Sequence, residues 1–216
     1  MREMPITIEP MQAKYNGQVG RLLAQAFLGK FQMLTSLNED DLALFFEQML
    51  EYVGAESSTQ RMVALQQGEV IGSISIRWRL VHGIPPKINE KLPPWRILSQ
   101  FGRWNLIKML IGLYVLDHEP EPYECYIADL AVRSDQRSKG VGKLLLQWAQ
   151  QAVAMNPALD RLTLHVSGSN PRAKQLYEQL SFQTHSRENR YMLRLLFNES
   201  RWDYMVQWKG GYLKKP

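Results

Sequence analysis

The chain has 216 residues, 45% hydrophobic and 22% charged, with 26 Lys and Arg against 21 Asp and Glu for a formal net charge of +5. This balance excludes disordered and fibrous classes and predicts one globular domain over residues 1–216 with a full buried core, its positive charge favouring an anionic partner. A single cysteine, Cys125, excludes an internal disulfide framework, and His82, His118, His165 and His185 show no metal-ligand spacing, so no metal is expected.

The N-terminus lacks a secretory pattern and no uncharged run reaches about 18 apolar residues, so a cytoplasmic protein without stable membrane insertion is expected. Residues 6–9 read as a short strand, and residues 17–29 carry apolar side chains at helical spacing. Asn38 followed by Glu39, Asp40 and Asp41 predicts a capped second helix with Leu42, Phe45, Phe46, Met49, Leu50 and Val53 on one face. Residues 61–65 and 70–78 are β-rich runs, and Gly68 between them suits a tight hairpin.

Between 81 and 122 the texture changes. Pro85, Pro86, Pro93 and Pro94 break its start, and residues 95–116 are then apolar with Arg96, Arg103 and Lys108 interspersed. The segment reads as a helical insertion between strands 3 and 4, a lid or extra packing helix over the core. An interfacial membrane helix is the alternative, because residues 95–116 are rich in Trp, Leu and Ile and carry only basic charges.

Residues 126–132 read as a strand. Residues 136–155 read as a strong amphipathic helix with Val141, Leu144, Leu145, Trp148, Ala149 and Ala152 on one face, stopped by Asn156 and Pro157. After a strand at 162–166, Asn170 as N-cap and Pro171 as first residue open another helix carrying Ala173, Leu176, Tyr177 and Leu180 on one face. Residues 191–197 and 204–208 close the chain as two β-rich runs. Strands interleaved with helices, without repeats, predict an α/β layered fold.

The stretch most informative about chemistry is Arg137-Ser138-Lys139-Gly140-Val141-Gly142-Lys143, between a strand and a helix N-terminus. Glycines there let backbone N–H groups approach an anion, and the helix end adds partial positive charge. A Walker loop would need Gly at Arg137 and Ser or Thr at Leu144, and a dinucleotide fingerprint would need Gly at Leu145. Both fail.

The stretch resembles the acyl-CoA-binding motif of the GNAT superfamily of N-acetyltransferases: Arg or Gln, two residues, Gly, one residue, Gly or Ala. Residues 126–132 are similar to that family's central strand, and Asn170, Ala173, Leu176, Tyr177 and Phe182 to its second signature, so the resemblance covers about residues 124–183. Ser138 stands where glycine is common, and Ser181-Phe182 replaces Gly-Phe.

The resemblance implies an α/β (α+β) three-layer fold whose central sheet is mixed, mostly antiparallel, and flanked by helices. It implies acetyl-CoA as acyl donor, its pyrophosphate on the amides of Ser138, Lys139, Gly140, Val141, Gly142 and Lys143, with Arg137, Lys139 and Lys143 adding charge. Leu130, Ala131 and Val132 match the segment that binds the pantetheine arm beside a strand bulge, a backbone N–H of Leu130 or Val132 polarising the thioester carbonyl. Asn170 and Ala173 fall on the cofactor side, Asn170 also being explicable as a helix cap.

Tyr177 matches the tyrosine that protonates the departing thiolate, and Asp129, then Glu124, are the nearest carboxylates to serve as base. Cys125 reads as buried, His165 as a satisfied core or surface residue. The implied reaction is direct attack of a primary amine, on a small molecule or a peptide, within a ternary complex. The first two helices and Trp95, Trp104 and Tyr114 would bound the acceptor pocket. A non-catalytic acyl-CoA-binding module, or one binding nucleic acid or protein on the same fold, is the alternative. No Arg-rich tract or aromatic RNA-binding signature supports nucleic acid, and a homodimer is compatible with the sequence.

Overall fold

A computed structural model describes residues 5–52, 58–79, 93–189, 191–199 and 201–211. The expectations for Val53, Pro85 and Pro86 lie outside the described residues. Strand β1 (Thr7–Pro10) leads into helices α1 (Asn16–Phe31) and α2 (Glu39–Tyr52). The Asn38 side-chain oxygen accepts the Asp41 N–H at 2.9 Å, and the Asp41 carboxylate accepts the Asn38 N–H at 3.3 Å. This reciprocal cap starts α2, and three acidic residues in its first turn complement the helix dipole.

Strands β2 (Thr59–Gln66) and β3 (Glu69–Trp78) form the expected hairpin. Its two linking residues, Gln67 and Gly68, both take positive φ (56° and 81°), the turn whose twist matches that of the strands. There follow α3 (Trp95–Leu98), α4 (Arg103–Leu116), β4 (Glu124–Val132), α5 (Val141–Met155), β5 (Arg161–Ser167), α6 (Pro171–Gln179), β6 (Gln183–Asn189), α7 (Tyr191–Phe197) and β7 (Arg201–Trp208).

The seven strands make one sheet in the order β1-β2-β3-β4-β5-β7-β6, antiparallel at every junction except β4 with β5. Alternate residues of β2 serve opposite faces: Met62 and Ala64 pack with Val141, Leu145 and Ala149 of α5, whereas Val63 and Leu65 pack with α1 and α2. The result is three layers with a core on each side of the sheet. Gly72 in β3 lets α5 approach, since a Cβ there would lie 2.9 Å from Val141 Cγ1 and 3.0 Å from Leu145 Cδ1.

Two expectations are corrected and one strand is added. Residues 191–197 form helix α7 rather than a strand, because Leu193 and Phe197, four apart, are buried while Tyr191, Met192 and Leu195 are exposed, a helical period. The strand near the C-terminus that the pattern did not reveal is β6, whose polar, largely exposed residues carry no apolar alternation. Helix α5 starts at Val141 rather than Gln136, because Ser138 and Gly140 take φ of 66° and 86°, incompatible with an α-helix; residues 134–136 form a separate 3-10 turn.

Candidate active site

Strands β4 and β5 pair only where Glu124, Cys125 and Tyr126 face Arg161, Leu162 and Thr163. Both strands continue beyond that point, but the ladder between them ends. On its other side β4 carries a bulge: Ser75 pairs with Asp129 and Ile76 with Ile127, leaving Ala128 as the extra residue. The two strands splay, and Ala128, Asp129 and Leu130 are half-buried instead of sealed in the sheet. Leu130, Ala131 and Val132 stand on this splayed segment.

At the open end of the split the chain turns into α5 through left-handed Ser138 and Gly140. Leu144 N–H donates the first helical bond, to the Gly140 carbonyl at 3.0 Å, so the amides of Val141, Gly142 and Lys143 head the helix without an intrahelical acceptor. A Cβ on Gly140 would meet nothing within 4 Å, which leaves this face open. Arg137, Lys139 and Lys143 are exposed around it. Arg137 Nε donates to the Val132 carbonyl at 3.3 Å, and a fourth cation, Arg172 of α6, donates to the Ser138 hydroxyl. Open amides, a helix N-terminus and four cations fit a pyrophosphate.

Helix α6 holds Tyr177 from both ends. Asn170 accepts the Ala173 N–H at 3.1 Å as N-cap, with Pro171 as first residue. At the C-terminus Ser181 takes φ of 67°, its N–H donates to the Glu178 carbonyl and the Phe182 N–H to the Tyr177 carbonyl, both at 3.0 Å. This is the Schellman ending, with the Phe182 ring 5.9 Å from that of Tyr177, so serine occupies the conformation that glycine takes without strain. Burial pushes the Tyr177 phenol up to about 12, so it stays protonated and able to donate.

Tyr177 and Asn170 line a cleft of about 610 Å³ together with Leu130, Asp129, Tyr126 and His165, and α1, α2 and α4 close its far wall. Both cleft aspartates carry a guanidinium partner. Arg61 grips Asp129 with two bonds of 2.6 and 2.7 Å, and Arg77 pairs with Asp117. Lys30, at the end of α1, lies 4.6 Å above the Trp202 ring and 5.5 Å above Phe27. Burial pulls its ammonium down to about 8 against the raising effect of Glu199.

Glu124 is fully buried behind this wall. It accepts the Glu121 N–H at 2.6 Å, the Tyr204 hydroxyl at 2.9 Å and the Thr163 hydroxyl, and faces His118 Nε2 at 3.2 Å. Burial alone would raise the carboxyl, but the bonds from His118, Thr163 and Glu121 outweigh it and bring Glu124 down to about 2. The His118 ring stands 4.3 Å from that of Tyr126 and 5.1 Å from that of His165. The Tyr126 hydroxyl lies 3.2 Å from His165 Nδ1, and His165 Nε2 lies 3.4 Å from Glu188. A buried anion is thus joined, through a cluster of tilted and edge-on rings, to a Tyr–His pair on the cleft wall. Cys125 is buried as expected, and burial together with Glu124 pushes its thiol up to about 12, too high for a thiolate nucleophile at neutral pH.

Sequence reasoning did not assemble this cluster. Its one local signal is that Tyr126 and His165 are polar residues set inside apolar strand runs. Thr163, opposite Tyr126, shares a strand face with His165 two positions on. His118, Tyr204, Arg172 and Lys30 arrive from four other segments. Of the aromatic residues expected at the acceptor pocket, Tyr114 lines the cleft, while Trp95 and Trp104 are exposed and do not.

The family model of the GNAT acetyltransferase family matches residues 23–182, and the chain belongs to that family. The uncharacterized N-acetyltransferase YycN of Bacillus subtilis (strain 168) is 36% identical over 78 residues, 35% of this chain. The match spans about half of that relative, 49% of its length. Spermidine N-acetyltransferase from Vibrio cholerae, solved with CoA and spermine, aligns over 97% of this chain and 98% of its own with a TM-score of 0.60 at 13% identity. Arabidopsis thaliana NAA60, solved with a bisubstrate analogue, aligns over 96% of this chain and 100% of its own with a TM-score of 0.59 at 18% identity. At these identities the two structures establish a shared fold.

Proposed function

We propose that the chain is an N-acetyltransferase that moves the acetyl group of acetyl-CoA to a primary amine by direct attack in a ternary complex. The observation that carries this reading is a single cleft holding a splayed strand edge and a buried, protonated Tyr177, next to an open amide cradle at Gly140. Acetyl-CoA supplies an activated thioester when bound. The amides of Ser138 and Gly140 and those of Val141, Gly142 and Lys143 at the head of α5, with the side chains of Arg137, Lys139, Lys143 and Arg172, hold its pyrophosphate. The Leu130, Ala131 and Val132 edge, with the Asn170 and Ala173 side of α6, holds the pantetheine arm, and a backbone N–H of Leu130 or Val132 polarises the carbonyl.

As the N–C bond forms and the C–S bond breaks, Tyr177 gives its proton to the leaving sulfur. The amine proton passes to the Tyr126 hydroxyl as that hydroxyl gives its own to His165 Nδ1, the nitrogen not turned toward Glu188. Glu124, anionic and behind the cluster of rings, favours the positive charge arriving there. Both cleft aspartates are already paired and Lys30 adds a cation, so the lining favours an amine carried on an apolar scaffold over a polyamine.

The test begins with thermal unfolding in excess acetyl-CoA. A site filled to 100 times its dissociation constant adds about 2.7 kcal/mol, and Gly140→Asp should abolish the gain. Thiol release is then followed over a panel of peptide, polyamine and aromatic amines, where Tyr177→Phe should lower kcat by about 10²- to 10⁴-fold. No stabilisation of the wild type overturns the reading; stabilisation without turnover on any amine leaves an acyl-CoA-binding module.

A further inference from the structure

Helix α4 is apolar on two faces. Leu106, Met109 and Gly112 are buried, and a Cβ on Gly112 would lie 2.9 Å from Leu34 Cδ1 and 3.0 Å from Phe31 Cε1. Away from this packed face, Trp104, Ile107, Ile111 and Tyr114, spaced i, i+3, i+7 and i+10, form a second stripe open to water, with Trp104 77% and Tyr114 82% exposed. Trp95 of α3 is exposed as well. Helix α7, whose Leu193 and Phe197 pack with Val115 and Leu116, leaves Tyr191, Met192 and Leu195 exposed. Large apolar side chains left exposed on neighbouring elements mark an interaction site.

The charges on these elements have one sign. Residues 95–116 contain three basic residues, Arg96, Arg103 and Lys108, and no Asp or Glu, and residues 191–197 contain Arg194 alone. Arg96, Arg103, Lys108 and Arg194 are all exposed.

We propose that the face formed by α3, α4 and α7 docks on an anionic phospholipid membrane and lies in its interface. Tryptophan and tyrosine, apolar in body and polar at one end, suit the headgroup boundary, and exclusively basic charges complement anionic lipid. A second copy of the chain would face this basic patch with another of the same sign, with no carboxylate on α3, α4 or α7 to pair the cations. The docking is peripheral: no helix among the described residues is long and apolar enough to cross a membrane. Tyr114 belongs both to the exposed stripe and to the cleft lining, so docking brings the cleft mouth to the lipid surface. If the proposed acetyl transfer holds, the acceptor amine is presented from that surface. The docking itself stands without it.

The test is flotation of the full chain with vesicles of mixed phosphatidylcholine and phosphatidylserine, and with phosphatidylcholine alone. The wild type should float with the mixed vesicles only, and salt should release it. Arg103→Gln and Lys108→Gln should each lower partitioning about fivefold, and Trp104→Ser with Ile111→Ser should remove most of it. Thermal midpoints of these variants in lipid-free buffer should match the wild type, which separates lost docking from lost folding. Three results overturn the proposal: a wild type that stays in solution, equal partitioning onto both vesicle types, or variants that float like the wild type. A wild-type dimer by sedimentation that Trp104→Ser with Ile111→Ser converts to monomer, with no flotation, assigns the face to a second copy instead.

Discussion

Ser138 and Ser181 both hold left-handed backbone conformations in which a side chain is strained. Ser181 makes no contribution to the cleft, so Ser181→Gly should stabilise the fold by about 1 kcal/mol and leave activity unchanged. For a chain of this size that is a rise of roughly 2–4 °C in calorimetric midpoint. Glu124 carries the opposite kind of sensitivity. Its folded carboxyl titrates near 2 against an ordinary value of 4.5, so the folded chain binds this proton less well than the unfolded one. The stability it contributes is fully present above the ordinary value and disappears as pH falls toward 2. Glu124→Gln should flatten urea-monitored stability across that acid window, at a cost of a few kcal/mol at neutral pH, because His118, Thr163 and Tyr204 would lose their charged acceptor.

At the scale of elements, α4 presents a sharp contrast between its two faces. Met109→Ala on the buried face should destabilise by about 2–5 kcal/mol, while Trp104→Ala on the exposed face should stay within about 0.5 kcal/mol in lipid-free buffer, both read as denaturant midpoints. The same two-faced apolarity explains why the sequence could place α4 but not orient it. Helix α5, with Val141, Leu145, Ala149 and Val153 buried along one stripe, was legible because one face alone is apolar. Strand β6 and helix α7 were not: the first is polar throughout, and the second is seven residues of nearly continuous apolar character, too short for a helical period to stand out from a strand. The turn into α5 was legible because glycines directly before an amphipathic helix mark a local change of backbone conformation, a pattern written in consecutive residues. The Glu124–His118 and Tyr126–His165 network joins residues far apart in the chain, and the bulge at Ala128 leaves no mark on hydropathy.

Across the whole molecule the sheet divides two cores. One, with α5 and α6, supports the cradle and Tyr177; the other, with α1, α2 and α4, walls the opposite side of the cleft. Strand β4 contributes to both, with Ile127 on the first side and Ala131 on the second. The sheet ends in β1 at one margin and β6 at the other. Strand β1 is four residues long and finishes in Pro10, which has no N–H to offer, and β6 presents Gln183, Thr184, His185, Arg187 and Asn189 to water. Neither margin is a long, flat, apolar template onto which another chain could add a strand. Gln183→Val with Arg187→Val should create such a template, seen as increased light scattering on refolding with the native fold retained. The polarity that hid β6 from the sequence pattern is therefore a guard against amyloid-like growth: the strand hardest to recognise is the one that keeps its margin of the sheet from extending without limit.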